Sequence, residues 1–399
     1  MSDLVTTDQL LERYAPLFAR IAEGALERER DRVLPFEQIG WIKESGFLAL
    51  RVPREFGGDG ASLPQLFRLL VELAAVDPHI PQALRGHIGF VEDRLCAQPS
   101  AARDEWLRRF VAGELVGNGV TEIGSVALGA TNTRLTPDGA DWTITGSKYY
   151  TTGSIFADWI DATAVTPDGV EVAALVSTAS DRVVVTDDWA GFGQRLTGSG
   201  TAVFDAAPVD ADHVFPFSER FSYQTSLYQL VLTAVQAGIA KAVERDVVLQ
   251  VTTRSRAFSH GNSPLTREDP QILEIVGRVS VDAFTAEAAV EHAAVVLQRA
   301  YDLRGEVALA ARAKEAAELA SARAQIVTTE VSLRAATQLF DALGASATST
   351  SVALDRHWRN ARTVASHNPT AFKARIIGDN LVNRAEPPYE WYVGVGKKK

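Results

Sequence analysis

The chain has 399 residues, 46% hydrophobic, with a net charge of −10 and a single cysteine; that length allows two or three compact units with a sizeable core. The acidic balance argues against nucleic acid or an anionic membrane as partner, because both need a basic face, and one cysteine excludes an internal disulfide or a cysteine-rich metal site. The opening shows no basic stretch leading into an apolar core, and no uninterrupted apolar run reaches the roughly 18 residues of a membrane span, so the expectation is a cytoplasmic, soluble protein.

Residues 1–117 read as helices. Leu10, Leu11, Tyr14, Leu17, Phe18 and Ile21 recur at helical spacing, and a second such pattern runs through Leu63, Leu66, Phe67, Leu70, Leu73 and Ala74. Between them Val52-Pro53-Arg54-Glu55-Phe56-Gly57-Gly58 is a Gly/Pro loop. From 118 to 216 Thr, Val and Tyr rise. Pro137-Asp138-Gly139 and Pro167-Asp168-Gly169 are turn signals between alternating runs, which predicts a compact antiparallel β unit. From 217 to 399 the period of 3.6 returns in long Ala-rich stretches, the pattern of an antiparallel four-helix bundle. The fold class is α+β, in the order helical domain, β domain, helical bundle.

Three stretches in the middle of the chain could serve a flat, acceptor-rich ligand. Gly117-Asn118-Gly119-Val120-Thr121-Glu122-Ile123-Gly124-Ser125 offers backbone N–H groups and hydroxyls, although a glycine-rich domain entry explains it as well. Gly146-Ser147-Lys148-Tyr149-Tyr150-Thr151-Thr152-Gly153-Ser154 adds aromatic rings and hydroxyls, though Tyr and Thr are also ordinary strand residues. The loop from Asp187-Asp188-Trp189 to Gly198-Ser199-Gly200 sets Trp189 and Arg195 among glycines that permit close backbone approach. Near the C-terminus, Asp355 to Pro369 crowds Arg356, His357, Arg359 and Arg362 around Trp358 and ends on His367-Asn368-Pro369. Such a cluster is costly to bury unless it is paired or binds an anion. His87 sits among Ile88, Gly89, Phe90 and Val91, as either a satisfied core histidine or a pocket-lining proton donor. The other histidines lack the spacing of a metal site.

Together and in this order, these stretches resemble the acyl-CoA dehydrogenase fold, including its Val-Pro-x-x-Phe-Gly-Gly loop. The Tyr-Glu-Gly-Thr-type segment of the true dehydrogenases has no counterpart here. The Asp-Arg-x-Trp-Arg-Asn-x-Arg-Thr run ending in His-Asn-Pro instead resembles the reduced-flavin-dependent, two-component monooxygenases on the same scaffold, such as the dibenzothiophene, dimethylsulfone and methanesulfinate enzymes.

The resemblance implies oxygenation of a small organic substrate, an organosulfur compound in the first instance, by FMNH2 and O2 through a C4a-hydroperoxyflavin. A separate NAD(P)H:flavin reductase would be the partner, since no Gly-x-Gly-x-x-Gly follows a strand. FMN is expected over FAD because Leu343-Gly344-Ala345-Ser346 stands where dehydrogenases carry Gly-Gly-x-Gly. The resemblance makes His367, Thr152, Asn118 and His87 the catalytic candidates. It assigns the cofactor to Asn118, Thr121, Tyr150, Thr152, Trp189, Arg256 and Arg362, with Arg254 competing with Arg256. Gly86 and Val364 stand where the dibenzothiophene enzyme has Tyr and His, so a changed cavity lining and a smaller substrate are expected, with Arg85, Arg356 and Arg359 available to orient an anion. Apolar side chains on more than one face of the long helices, together with the resemblance, imply a homotetramer. The alternatives are an FAD-dependent acyl-CoA dehydrogenase, an N- or C-hydroxylase of an amine or aromatic substrate, and a non-catalytic scaffold of the same fold.

Overall fold

The computed structural model describes residues 5–124 and 130–390; Ser125 of the glycine-rich junction and the lysine-rich terminus lie outside the described residues. Seven helices come first: α1 (Thr7–Ala22), α2 (Ala25–Asp31), α3 (Phe36–Glu44), α4 (Leu63–Val76), α5 (His79–Ala83), α6 (Arg85–Cys96) and α7 (Ala101–Val111). Helix α1 starts where Thr6 and Gln9 close a reciprocal capping box, and it buries Leu10, Tyr14, Phe18 and Ile21, the face its spacing predicts. Helix α4 begins in the same way at Ser62 and Gln65. Each large apolar side chain taken fully out of water contributes about 1.5–3 kcal/mol, so these stripes fix how the helices dock.

The strands follow as β1 (Val116–Gly119), β2 (Arg134–Asp138), β3 (Asp141–Lys148), β4 (Trp159–Val165), β5 (Glu171–Ser177), β6 (Val183–Thr186), β7 (Thr201–Val209) and β8 (Val214–Pro216). They form one sheet in the order β6-β7-β3-β2-β4-β5-β8, with β1 added alongside β4. The two turn signals do make the β2–β3 and β4–β5 hairpins, with Gly139 and Gly169 at φ 64° and 86°. The sheet is nevertheless mixed rather than antiparallel, because β1 and β2 each run parallel to β4. Hairpin turns leave a local mark in a sequence; parallel pairing joins strands distant along the chain and leaves none.

Helices α8 (Gln224–Thr253), α9 (Pro270–Asp302) and α10 (Val307–Leu343) are the long members of the bundle, with α11 (Asp355–Ala365) and α12 (Lys373–Asn383) packed against it. Helix α8 is buried nearly all round from Ser226 to Val243. It is the one helix among the described residues long and apolar enough to cross a membrane, and here it forms the bundle's centre. A continuous apolar cluster runs from α1 and α4 through α8 into α9 and α10. The first helices and the bundle therefore share one core, while the sheet keeps its own. The sheet side meets the helices along one seam, where β1 packs on α6 and the loop between β6 and β7 packs on α11.

Candidate functional site

On the sheet side of that seam, β1 presents Asn118, whose side-chain amide donates to the Tyr150 carbonyl at 3.4 Å. The Ser154 hydroxyl donates to the Asn118 carbonyl at 3.0 Å. Tyr150 holds φ 59°, a left-handed conformation costly for a bulky residue. Its ring is exposed and stands 5.9 Å from that of Trp189. Thr152 is buried and begins a chain of hydroxyls: Thr152 to Ser199 at 2.6 Å, Ser199 to Thr197 at 2.7 Å, and Thr197 to the Gln194 carbonyl at 3.0 Å. The loop from 187 to 200 is pinned to α11, since Asn360 accepts the Gln194 N–H at 2.6 Å and a Cβ at Gly193 would overlap the Arg359 carbonyl. Trp189 is fixed from its own loop, its indole N–H donating to the Gly193 carbonyl at 3.0 Å. Thr121 contributes its carbonyl to Tyr149.

From the helices comes His367, just past the end of α11, which contacts Arg85 of α6, the neighbour of Gly86 that packs on Asn118. The Arg85 guanidinium donates to its Nε2 at 3.1 Å, so the ring is neutral with its proton on Nδ1, which donates to Asn368 Oδ1 at 3.3 Å. Asn368 is held in turn by Gln229 of α8 and Gln325 of α10, both at 2.7 Å. His367 is exposed as a residue, while surrounding protein and then the Arg85 charge disfavour the imidazolium and bring the pKa down to about 3. Arg85 and Tyr228 are likewise partly exposed, and burial pushes the Tyr228 hydroxyl up to about 12. A separate cavity of about 220 Å³ lies beside Glu122, Ile123, Tyr149 and Thr201, and none of Asn118, Thr152 or His367 lines it.

Several expected site residues fall elsewhere. His87 is a core residue: its Nε2 donates to the Leu48 carbonyl at 2.9 Å and its Nδ1 accepts the Val116 N–H at 3.3 Å. Both ring nitrogens are thus spent on backbone, and burial lowers the pKa to about 4. Of the C-terminal cations, Arg356 and His357 converge on Asp246, and Arg359 on Asp355 and Glu29. They satisfy one another within the chain and are not free to orient an anion. Gly86 faces β1, where a Cβ would lie 3.0 Å from the Asn118 nitrogen, and Val364 is in the bundle core.

Arg256 follows the far end of α8, roughly 38 Å along the helix from Tyr228 at 1.5 Å per residue, and its side chain is exposed. It does not reach the cleft of its own chain. Arg254 beside it is committed to the end of α10 through the Leu343 carbonyl. Among the described residues Arg362 reaches only the Ser366 hydroxyl, at 3.3 Å. Tyr228, Gln229 and Asn368 went unseen in the sequence. The first two sit inside a helix whose polar residues are scattered among apolar ones without marking one face; Asn368, next to His367, is the one that its neighbour could have flagged.

The cleft suits a flat ring bearing donors and acceptors. Asn118 Oδ1 and both side-chain polar atoms of Gln194 are buried without hydrogen-bond partners, at a cost that a ligand can relieve. A hydroxyl chain and two aromatic rings border the same seam.

Comparison with known proteins places the chain. The acyl-CoA dehydrogenase N-terminal domain model matches residues 11–114 and the acyl-CoA dehydrogenase C-terminal domain model matches residues 230–372. A dibenzothiophene monooxygenase of Mycolicibacterium goodii is 27% identical over 91% of each chain. A probable FMNH2-dependent monooxygenase, SfnC, of Pseudomonas putida is 28% identical over 94% of this chain and 95% of its own. The structure of the methanesulfinate monooxygenase MsuC from Pseudomonas fluorescens superposes with a TM-score of 0.86 at 25% identity, covering 95% of this chain and 98% of that one. With both domain matches and that superposition over nearly its whole length, the chain belongs to the acyl-CoA dehydrogenase family and has the fold of the flavin monooxygenases built on it.

Proposed function

We propose that this chain is a reduced-FMN-dependent monooxygenase that oxygenates a small organic compound, an organosulfur compound in the first instance. A separate NAD(P)H:flavin reductase supplies the reduced flavin. The observation that carries this reading is the buried, unpartnered Asn118 Oδ1 near the Thr152 hydroxyl chain, with His367 held by Arg85 next to Gly86, which packs on Asn118. A proton-holding group at a flavin edge suits oxygen transfer, in which peroxide must not escape early. The resemblance to two monooxygenases and a methanesulfinate enzyme over nearly the full chain supports it.

Reduced FMN, when bound, supplies the two electrons that let one oxygen atom of O2 go to substrate and the other leave as water. Asn118, Thr152 and Tyr150 would hold the ring edge, with Trp189 packed beside it. The Thr152–Ser199–Thr197 chain keeps the Thr152 hydroxyl oriented without water. His367 holds its proton on Nδ1, and Asn368, fixed by Gln229 and Gln325, sets the ring angle. Arg256 would serve the flavin phosphate of a second copy, since it is remote from its own cleft, with Arg362 as the contact within the chain. An assembly of copies, a homotetramer in our reading, is required for that. On α9, Leu273, Val281, Phe284 and Val295 are exposed at spacings that fall on one face, an apolar stripe fitted to subunit contact.

The test is turnover with FMN, NADH and a generic flavin reductase under labelled O2, using methanesulfinate, dimethyl sulfone, dibenzothiophene and indole. One labelled oxygen in the product of a small sulfur compound is expected. Turnover confined to the aromatic compounds would overturn the small-substrate reading. Isolation with tightly bound FAD that acyl-CoA reduces would overturn the monooxygenase itself.

A further inference from the structure

The buried arginines of this protein carry carboxylates: Arg28 pairs with Asp77, Arg51 with Glu92, Arg94 with Asp93, and Arg220 with Asp161. Arg85 does not. Its Nε is closed off from solvent without a hydrogen-bond partner, and the only acceptor its side chain finds among the described residues is the neutral His367 ring. The guanidinium stands 5.3 Å from the centre of the Tyr228 ring, a contact that offsets only part of its desolvation.

The surroundings leave that charge for a ligand. Asp161 and Asp93, the carboxylates that act on Tyr228, are held by Arg220. The Tyr228 hydroxyl makes no hydrogen bond to a described residue, and burial keeps it protonated as a donor. Gly89, one turn beyond Arg85 on α6, leaves the space that the Tyr228 ring fills, since any Cβ there would collide with it. Helix α6 thus gives up a side chain so that α8 can bring a phenol beside the guanidinium.

We propose that Arg85, with the Tyr228 hydroxyl, anchors an anionic head group on the substrate, so that the cleft selects a small organic oxyanion such as a sulfinate, sulfonate or carboxylate. A guanidinium fork matches two oxygens of such a group, and a hydroxyl donor completes the set. The anion displaces His367 as the partner of Arg85 and frees the imidazole Nε2 at the moment substrate is in place. This rests on the monooxygenase reading for the fate of the substrate, but not for the recognition of its charge.

Methanesulfinate and dimethyl sulfone are close in size and differ in charge, which makes them the probes. Their binding to the FMN-free protein is measured by calorimetry for wild type, Arg85→Gln and Arg85→Lys, and FMN affinity is measured in parallel. Wild type should prefer methanesulfinate by about tenfold or more, the worth of a hydrogen bond to a charged group. Arg85→Gln should erase the preference and leave FMN affinity unchanged, and Arg85→Lys should retain part of it. Should the Gln variant fail to fold, the partial loss in the Lys variant carries the test. Equal binding of the two probes by wild type, binding of neither, or a preference that survives in Arg85→Gln overturns the proposal. Lost FMN affinity in Arg85→Gln also overturns it, by assigning the arginine to the flavin phosphate. Anion preference in a protein that never binds FMN would leave this site standing and remove the monooxygenase reading instead.

Discussion

The Glu122 carboxylate lies 2.8 Å from the Nζ of Lys148, a side chain with no exposure at all, and so joins the glycine-rich junction to the end of β3. Burial tends to raise the Glu122 pKa. Hydrogen bonds from Lys148, the Asn132 and Thr133 amides and the Thr133 hydroxyl outweigh it and bring the pKa to about 2. The glutamate of the Thr-Glu-x-Gly-Ser stretch is therefore a brace beneath the proposed flavin edge.

Replacing Glu122 by Gln strands the Lys148 charge in the sheet. The expected loss is about 3–5 kcal/mol, the usual cost of removing one partner of a buried pair, read as a fall in the urea midpoint. Because the folded-state pKa is depressed, the stability Glu122 provides is present above its ordinary pKa. It is lost as the pH falls from there toward about 2, and the variant's stability should therefore be flatter over that range. A variant as stable as wild type at neutral pH would show that Lys148 finds another partner.

His87 makes a second pH prediction. With a folded-state pKa near 4 against an ordinary 6.5, the unfolded chain binds a proton across that window and the native chain does not. Stability should fall as the pH drops from 6.5 to 4, by up to about 1.4 kcal/mol per unit for this one group. His357, also held near 4, adds to the same slope. Urea titrations at steps across that range should show a shallower slope in His87→Gln. An unchanged slope would mean the ring is charged in the fold.

His367→Ala should bind FMN nearly as wild type does while turnover leaks into hydrogen peroxide. Loss of a positioned proton-holding group costs about 10²–10⁴ in rate. The measurement is product formed and peroxide released per NADH consumed, and an unchanged ratio would remove His367 from the oxygen-transfer step.

The assembly is tested from both ends. Light scattering should give a mass several times that of the chain, and Phe284→Asp should lower it by placing a charge in the apolar stripe on α9. Arg256→Ala should keep the assembly and weaken FMN binding by about 1.5–3 kcal/mol, the range for hydrogen bonds to charged groups. A monomeric wild type that binds FMN at full affinity would refute the arrangement.

The order of helices, strands and bundle was legible because each unit carries its own period, and β2–β3 and β4–β5 because their turns are local. What the sequence concealed was partnership over distance. Arg356 and His357 look like an anion site until Asp246, more than a hundred residues earlier, is found beneath them. Arg359 reaches Glu29 across 330 positions. In the sequence Arg85 was one of three arginines available to an anion, alongside Arg356 and Arg359; only the absence of such a counterion among the described residues separates it from them and from the structural arginines. His87 was ambiguous for a different reason. An apolar context fits a core histidine and a pocket histidine equally, and only the engaged state of both nitrogens decides between them.

Helix α8 works as a gauge. Tyr228 and Gln229 mark its cleft end, and Thr253, just before Arg254 and Arg256, marks the other. Its unbroken hydrogen-bonded run from Gln224 to Thr253, packed on α4, α9, α10 and α11, sets the separation of the two ends by residue count. One inserted residue in its middle would rotate one end against the other by about 100° and turn Tyr228 away from Arg85; four would nearly restore the facing but lengthen the gauge by about 6 Å. If neighbouring copies exchange arginines as proposed, the length of this helix is also the measure by which one copy's phosphate contact is matched to the next copy's ring site, and it can change only if both subunits change together.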